Sequence, residues 1–159
     1  MTDTPHDQGS PDDEAAASAS DAEWPAPKEG FVVTHLLIVR DVERSRRFYS
    51  EVLGARTLME GPPAILRFAN TWLVLNTGGG PTDDKPDVVA AAPSDPNTLT
   101  SALNIRTADI QAVYQLWSSR GARFLTPPMN HSAEIRCYLR DPDGHLIEVG
   151  QTTTRRAAG

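Results

Sequence analysis

Cysteine is all but missing from this chain: Cys137 is the only one in 159 residues. No disulfide can form within it, so stability has to come from a hydrophobic core. No His or Lys arrangement stands beside Cys137, which reads as a small buried hydrophobe rather than a reactive thiol and fits a reducing, cytoplasmic setting. No apolar run approaches the roughly 20 residues that cross a bilayer, and the N-terminus has no basic segment leading into an apolar one, so neither a membrane nor a secretory route is expected. Lys and Arg form no cluster that would grip a phosphate backbone, which excludes nucleic acid as a partner. The formal charge of −6 is confined to one end. Eight acidic residues against Lys28 give residues 1–30 a charge of −7, leaving +1 for the remainder. With Ala, Ser and Pro filling that segment and Trp24 its only aromatic, residues 1–30 are expected to be a disordered acidic tail.

What the chain does have is a pattern written twice. The apolar run from Phe31 to Val39 meets Asp41, opens an amphipathic stretch and stops at Gly54; the run from Leu103 meets Asp109, opens a second stretch and stops at Gly121. Each aspartate is placed to cap a helix and each glycine to end it. Strand-length segments follow in both copies: Ala55 to Met59, Ala64 to Ala69 and Thr71 to Asn76 in the first, and Ala122 to Leu125, Ile135 to Arg140 and His145 to Gly150 in the second, with Val88 to Ala91 as a further short candidate. The order strand, helix, strand, strand, strand predicts an α+β domain over 31–151, with units of about 31–92 and 101–151 and a flexible end at 152–159. Neither unit can bury its apolar face alone, so the two should pack together and enclose a shared cavity.

Three segments give this architecture a family likeness. His35 in the first strand, Arg44-Ser45-Arg46-Arg47-Phe48-Tyr49-Ser50-Glu51-Val52-Leu53-Gly54, and Arg140-Asp141-Pro142-Asp143-Gly144-His145-Leu146-Ile147-Glu148-Val149 resemble the glyoxalase/bleomycin resistance/dioxygenase group, the vicinal oxygen chelate superfamily. The resemblance implies two βαβββ units whose curved sheets surround a cavity, a small-molecule substrate or ligand, and a homodimer. It implies an enzyme of lyase, isomerase or dioxygenase type; the alternative is a non-catalytic protein that binds a small molecule or antibiotic.

In metal-dependent members, the resemblance further implies, the first and last strands of each unit hold a divalent metal such as Zn, Ni, Fe or Mn. His35 and Glu148 match two of those positions. Aligning Asp109 on Asp41 puts Leu103 where His35 stands, and aligning Leu73-Val74-Leu75 on Leu146-Ile147-Glu148 puts Leu75 where Glu148 stands. Neither leucine can bind a metal, and two protein ligands fall short of the usual three or four. Asn104 and Asn76 are one residue out of phase, and His131 in the Pro127 to His131 loop is the remaining candidate ligand. In a metal-free version, Glu148 acts as a base with Arg136 or Tyr138 stabilising an oxyanion. Alternation places Glu134, Arg136 and Tyr138 on the cavity side if Ile135, Cys137 and Leu139 face the helix, with Arg67 and Trp72 as counterparts in unit one. Arg136 could bind a substrate anion or neutralise Glu134 or Glu148. Gly78-Gly79-Gly80 reads as a flexible loop over the cavity, and His145 as an outer-face residue.

Overall fold

The computed structural model describes residues 25–153. The acidic segment through Trp24 and residues 154–159 of the expected C-terminal extension lie outside the described residues. Residues 25–33 contain no strand or helix, and Phe31 is 99% exposed.

From Thr34 onward the expected order is present twice. The first unit runs β1 (His35–Val39), α1 (Val42–Arg47) continued by a π-helical turn (Phe48–Val52), β2 (Arg56–Met59), β3 (Ala64–Phe68) and β4 (Thr71–Thr77). The second runs β5 (Leu103–Arg106), α2 (Ile110–Ser119), β6 (Met129–His131), β7 (Glu134–Arg140) and β8 (Leu146–Thr152). Each unit is a four-stranded mixed sheet, ordered β1-β4-β3-β2 and β5-β8-β7-β6, with the first strand parallel to the last. The architecture is α+β. Among the described residues no helix is long and apolar enough to cross a membrane.

Local chemistry explains the helix ends. Asp41 accepts from the Arg44 N–H at 2.9 Å, and Asp109 from the Ala112 N–H at 3.0 Å. Gly54 and Gly121 end the helical stretches at φ +86° and +97°, a conformation that costs a residue with a Cβ more than it costs glycine. Three expected boundaries are corrected. The first strand begins at His35 rather than Phe31, because its ladder exists only where β4 runs beside it, from His35 opposite Leu73 to Val39 opposite Thr77. Residues 122–125 are not a strand; Phe124 makes a single bridge to Leu139, and β6 takes the edge position from within the expected Pro127 to His131 loop. Val88 to Ala91 likewise reduces to one bridge, Ala90 to Gly79.

One face of both sheets packs on the helices. Leu37, Val39, Leu66, Leu73 and Leu75 of the first sheet and Cys137, Leu139, Ile147 and Val149 of the second form a single core with Tyr49, Leu53, Ile110 and Trp117. Burial pushes the Cys137 thiol up to about 11, which keeps it protonated and inert near neutrality.

The units are fastened by the turn between β7 and β8. The buried Asp143 carboxylate accepts from the Arg40 N–H at 3.1 Å, the Arg40 and Arg44 guanidinium groups at 3.2 and 3.0 Å, and the Ser45 hydroxyl at 3.1 Å. Asp141 accepts from the fully buried Tyr49 hydroxyl at 3.0 Å and from the N–H groups of Asp143 and His145. The His145 ring, expected on the outer face, instead meets the Ile38 carbonyl of β1 at 2.8 Å. Gly144 adopts φ +92°, and a Cβ there would lie 2.9 Å from Pro96, so both backbone conformation and packing call for glycine.

Tyr49→Phe should therefore cost about 1–3 kcal/mol in urea unfolding, since it strips a donor from a buried carboxylate. Burial, with the neighbouring Asp141 charge adding to it, raises the Tyr49 phenol well above its ordinary value. The protonated phenol is thus favoured in the fold: its contribution is complete below about pH 10 and lost as pH rises beyond that toward the folded-state value. Unfolding midpoints measured between pH 8 and 11 should fall less steeply for Tyr49→Phe than for the wild type.

Candidate functional site

The faces turned away from the helices carry the chain's remaining chemistry, and strand register decides who shares them. In the second sheet Asn104 of β5, Glu148 of β8 and Tyr138 of β7 stand directly opposite one another. Asn104 donates its amide to Glu148 Oε1 at 2.6 Å, and the Tyr138 hydroxyl donates to Oε2 at 2.5 Å. This hydrogen bond, followed by burial, raises the Tyr138 phenol above its ordinary value, so the tyrosine keeps its proton.

A second cluster lies along the same face. Arg106 of β5 reaches Glu134 Oε2 at 2.8 Å and Thr152 Oγ1 at 2.9 Å, while Arg136 reaches Glu134 Oε1 at 3.0 Å. The Arg106 hydrogen bond is the main cause that holds the Glu134 carboxyl below its usual range. Arg106 has to cross β8 to make these contacts, and it passes over Gly150: a Cβ there would sit 2.0 Å from Arg106 Nη1. Arg136 is therefore committed to Glu134, one of the options open to it in the sequence, and does not donate to Glu148.

Two cavities border this face. One of about 420 Å³ lies between the β3–β4 turn, residues 68–71, and β5 with Asn104 and Arg106. Another of about 370 Å³ lies beneath the segment from Ala91 to Ser101 and reaches His145 and Leu146. Arg40 and Arg140 tether that segment through the carbonyls of Pro93 and Pro96. Gly79 is bridged to Ala90, and Lys85 holds the Gly80 carbonyl at 3.0 Å, so the glycine loop folds onto its own neighbours.

His35 is not on this face. It stands opposite Leu73, which is fully buried in the core, and shares its side of β1 with Leu37 and Val39. It lines a cavity of about 70 Å³ with Tyr49, His145 and Ile147. Burial and then the nearby His145 hold its pKa below the ordinary histidine value. Glu148 alternates with Ile147 and Val149, so the expectation that His35 and Glu148 line one cavity is corrected by the register. The unit alignment is corrected too. Leu103 pairs with Ile147 as His35 pairs with Leu73, which makes Val74, not Leu75, the counterpart of Glu148. Asn104 then faces Glu148 directly, without a bulge. His131 is exposed at the end of β6, opposite Glu134. Four residues along β7 separate that row from Tyr138, about 13 Å of extended chain.

A model described as the Glyoxalase/Bleomycin resistance protein/Dioxygenase superfamily matches residues 32–149. The chain belongs to this superfamily. Similar solved structures carry the same fold. A glyoxalase/bleomycin resistance protein/dioxygenase from Nocardioides is 20% identical with TM-score 0.64, covering 92% of this chain and 97% of that one. Another from Alicyclobacillus acidocaldarius is 18% identical with TM-score 0.64, covering 84% and 100%. TnmS3, an antibiotic-binding protein from Streptomyces sp. CB03234, is 24% identical with TM-score 0.56, covering 80% and 100%. At these identities the likeness speaks for the fold alone.

The divalent metal that the superfamily resemblance implies does not fit these side chains. The first-unit positions equivalent to Asn104 and Glu148 are Leu36 and Val74, neither of which can bind a metal, and the Asn104 amide is already turned to the carboxylate. Among the described residues no three His, Cys, Asp or Glu side chains converge to hold a metal ion. A single carboxylate is too few ligands for tight binding.

Sequence reasoning missed Asn104 as a partner of Glu148, and missed Arg106, Thr152 and Gly150 altogether. The signal was present in Leu103-Asn104-Ile105-Arg106, where apolar and polar residues alternate. Two outcomes follow. Gly150→Ala should push Arg106 aside and raise the Glu134 titration toward its ordinary value in a carboxyl-carbon NMR titration, with no further rise when Arg106→Ala is added. For His35, a lowered folded-state pKa means a stability contribution present above about pH 6.5 and lost as pH falls below it. His35→Leu should flatten that acid-side decline in unfolding midpoint; an unchanged slope would place the decline elsewhere.

Proposed function

We propose that this protein binds a small organic molecule on the helix-free face of its second sheet, with Glu148 as the anchoring acceptor and no divalent metal between protein and ligand. The observation that carries this reading is the Asn104–Glu148–Tyr138 row. Two donors from the flanking strands fix both carboxylate oxygens, yet each oxygen has a further lone pair for a ligand hydroxyl or amine. Hydrogen bonds, rather than a cation, offset the cost of holding a charged carboxylate in a partly buried groove. TnmS3 shares this fold and is an antibiotic-binding protein, so the fold can serve binding without requiring turnover.

A second reading rests on the Tyr138–Glu148 hydrogen bond. With the proton held on the phenol, the Glu148 carboxylate is placed to take a proton from a carbon next to a carbonyl, as an isomerase or lyase requires. Arg136 takes no part, being bound to Glu134.

Thermal-shift screening of tag-free protein against aromatic, hydroxylated and antibiotic compounds tests the first reading. A binder should raise the unfolding temperature equally with and without chelator, and Glu148→Ala should weaken its affinity at least tenfold. Affinity lost to chelator and restored by Mn or Zn would overturn it. Proton NMR of each binder in D2O addresses the second: Glu148-dependent loss of a carbon-bound proton would show turnover, and its absence would leave binding alone.

A further inference from the structure

The first sheet has its own helix-free face, and one buried donor on it has no acceptor among the described residues. In β3, Ala64, Leu66 and Phe68 turn to the core, which leaves Ile65 and Arg67 on the other side. Register sets Arg67 directly opposite Trp72 of β4 and directly opposite Arg56 of β2, so two cations and an indole stand abreast across three strands. The Arg67 guanidinium carbon lies 4.0 Å from the Trp72 ring centroid. Stacking fixes the plane of the guanidinium but satisfies none of its N–H donors, because the ring interacts with the face of the group and the donors point outward from its edge. Nη1 is buried and has no hydrogen-bond partner among the described residues.

A buried guanidinium donor without an acceptor keeps its full desolvation cost and does not stabilise the fold. That cost is removed if an anion sits against Arg67. Arg67 and Trp72 also immediately flank residues 68–71, the turn that walls the cavity of about 420 Å³ shared with Asn104 and Arg106.

We propose that Arg67, oriented by Trp72 and assisted by Arg56, is an anion subsite that takes the carboxylate or phosphate of the ligand. This rests on the reading of the helix-free faces as the ligand-binding surface and narrows it: the ligand carries an oxyanion at one end, a small apolar or aromatic body, and a hydroxyl or amine that reaches Glu148 at the other. The planar fork of an arginine edge matches two oxygens of a carboxylate or phosphate, and a neighbouring cation adds attraction that salt weakens.

The test is calorimetric titration of the full chain with benzoate, phenyl phosphate and inorganic phosphate, and with neutral benzamide as the matched control, at low and high salt. Trp72 emission serves as the local reporter, with Trp72→Phe identifying its share among three tryptophans. The wild type should prefer the anions over benzamide, with a preference that shrinks as salt rises. Arg67→Gln should lose at least tenfold in anion affinity, leave benzamide unchanged, and unfold at no lower temperature than the wild type without anion. Arg67→Lys should retain part of the affinity, and Arg56→Gln should lose several-fold, which keeps the test intact if Arg67→Gln fails to fold. Equal binding of anions and benzamide, or anion binding untouched by Arg67→Gln and Arg56→Gln, would overturn the subsite while leaving a neutral-ligand groove standing. If no probe and no compound from the wider screen binds, both readings fall together.

Discussion

A carboxylate shielded from water must be given donors, and the whole arrangement of this chain turns on where Asp143 finds them. Its own unit supplies none of the side chains; Arg40, Arg44 and Ser45 all belong to the end of β1 and the start of α1. Burial alone would push the Asp143 carboxyl up, yet the Arg40 N–H, the Ser45 hydroxyl and the Arg44 charge hold it below its usual range. The turn of one repeat is thereby locked onto the first strand of the other. Because His145 in the same turn also takes the Ile38 carbonyl, the edge of β1 is held beside the start of β8. The spaces that border the candidate site follow from that lock, since they lie where the two sheets and their connection meet.

The lock also gives the two repeats different work. The first unit joins β3 to β4 by the short turn at Ala69 and Asn70, whereas the second joins β7 to β8 by the five-residue latch. Their helix-free faces diverge as well. Leu36, Ile38 and Val74 make the first mostly aliphatic, relieved only by the Arg56–Arg67–Trp72 row and Asn76. The second is almost wholly polar, and its carboxylates are already matched to donors. The core faces, by contrast, are aliphatic in both units. Repetition is preserved where packing demands it and abandoned where a ligand would be met.

How much of this was legible follows from the same contrast. The repeat, both helix caps and the order of elements could be read because glycines, aspartates and apolar runs recur at matching intervals. In β7 the string Glu-Ile-Arg-Cys-Tyr-Leu-Arg alternates so regularly that the inward and outward sets are plain, and Cys137 and Leu139 are indeed in the core. In β1 the string His-Leu-Leu-Ile-Val does not alternate at all. With aliphatic residues on both sides of the strand, nothing in the sequence shows which face His35 joins; the partner strand decides, and His35 stands opposite Leu73. The same ambiguity in Leu73-Val74-Leu75 displaced the alignment of Glu148 by one residue and concealed its pairing with Asn104. A shift of one position is small along the chain and complete across the sheet.

That shift bears on what kind of site the fold can support. A chelate needs donors converging from strands of both sheets, so replacing any of them by an aliphatic residue dismantles it. A hydrogen-bonded carboxylate needs only its immediate neighbours, and β8 lies between β5 and β7, which provide Asn104 and Tyr138. Glu148 is thus supported entirely from within one sheet and does not depend on Leu36 and Val74, the equivalent positions of the other. With Glu148 satisfied within its own sheet, the first sheet carries no metal-ligating side chain at the equivalent positions and presents different chemistry. Arg67 is suited to this, because Arg106 and Arg136 of the second sheet are paired with Glu134, while Arg67 Nη1 has no acceptor among the described residues.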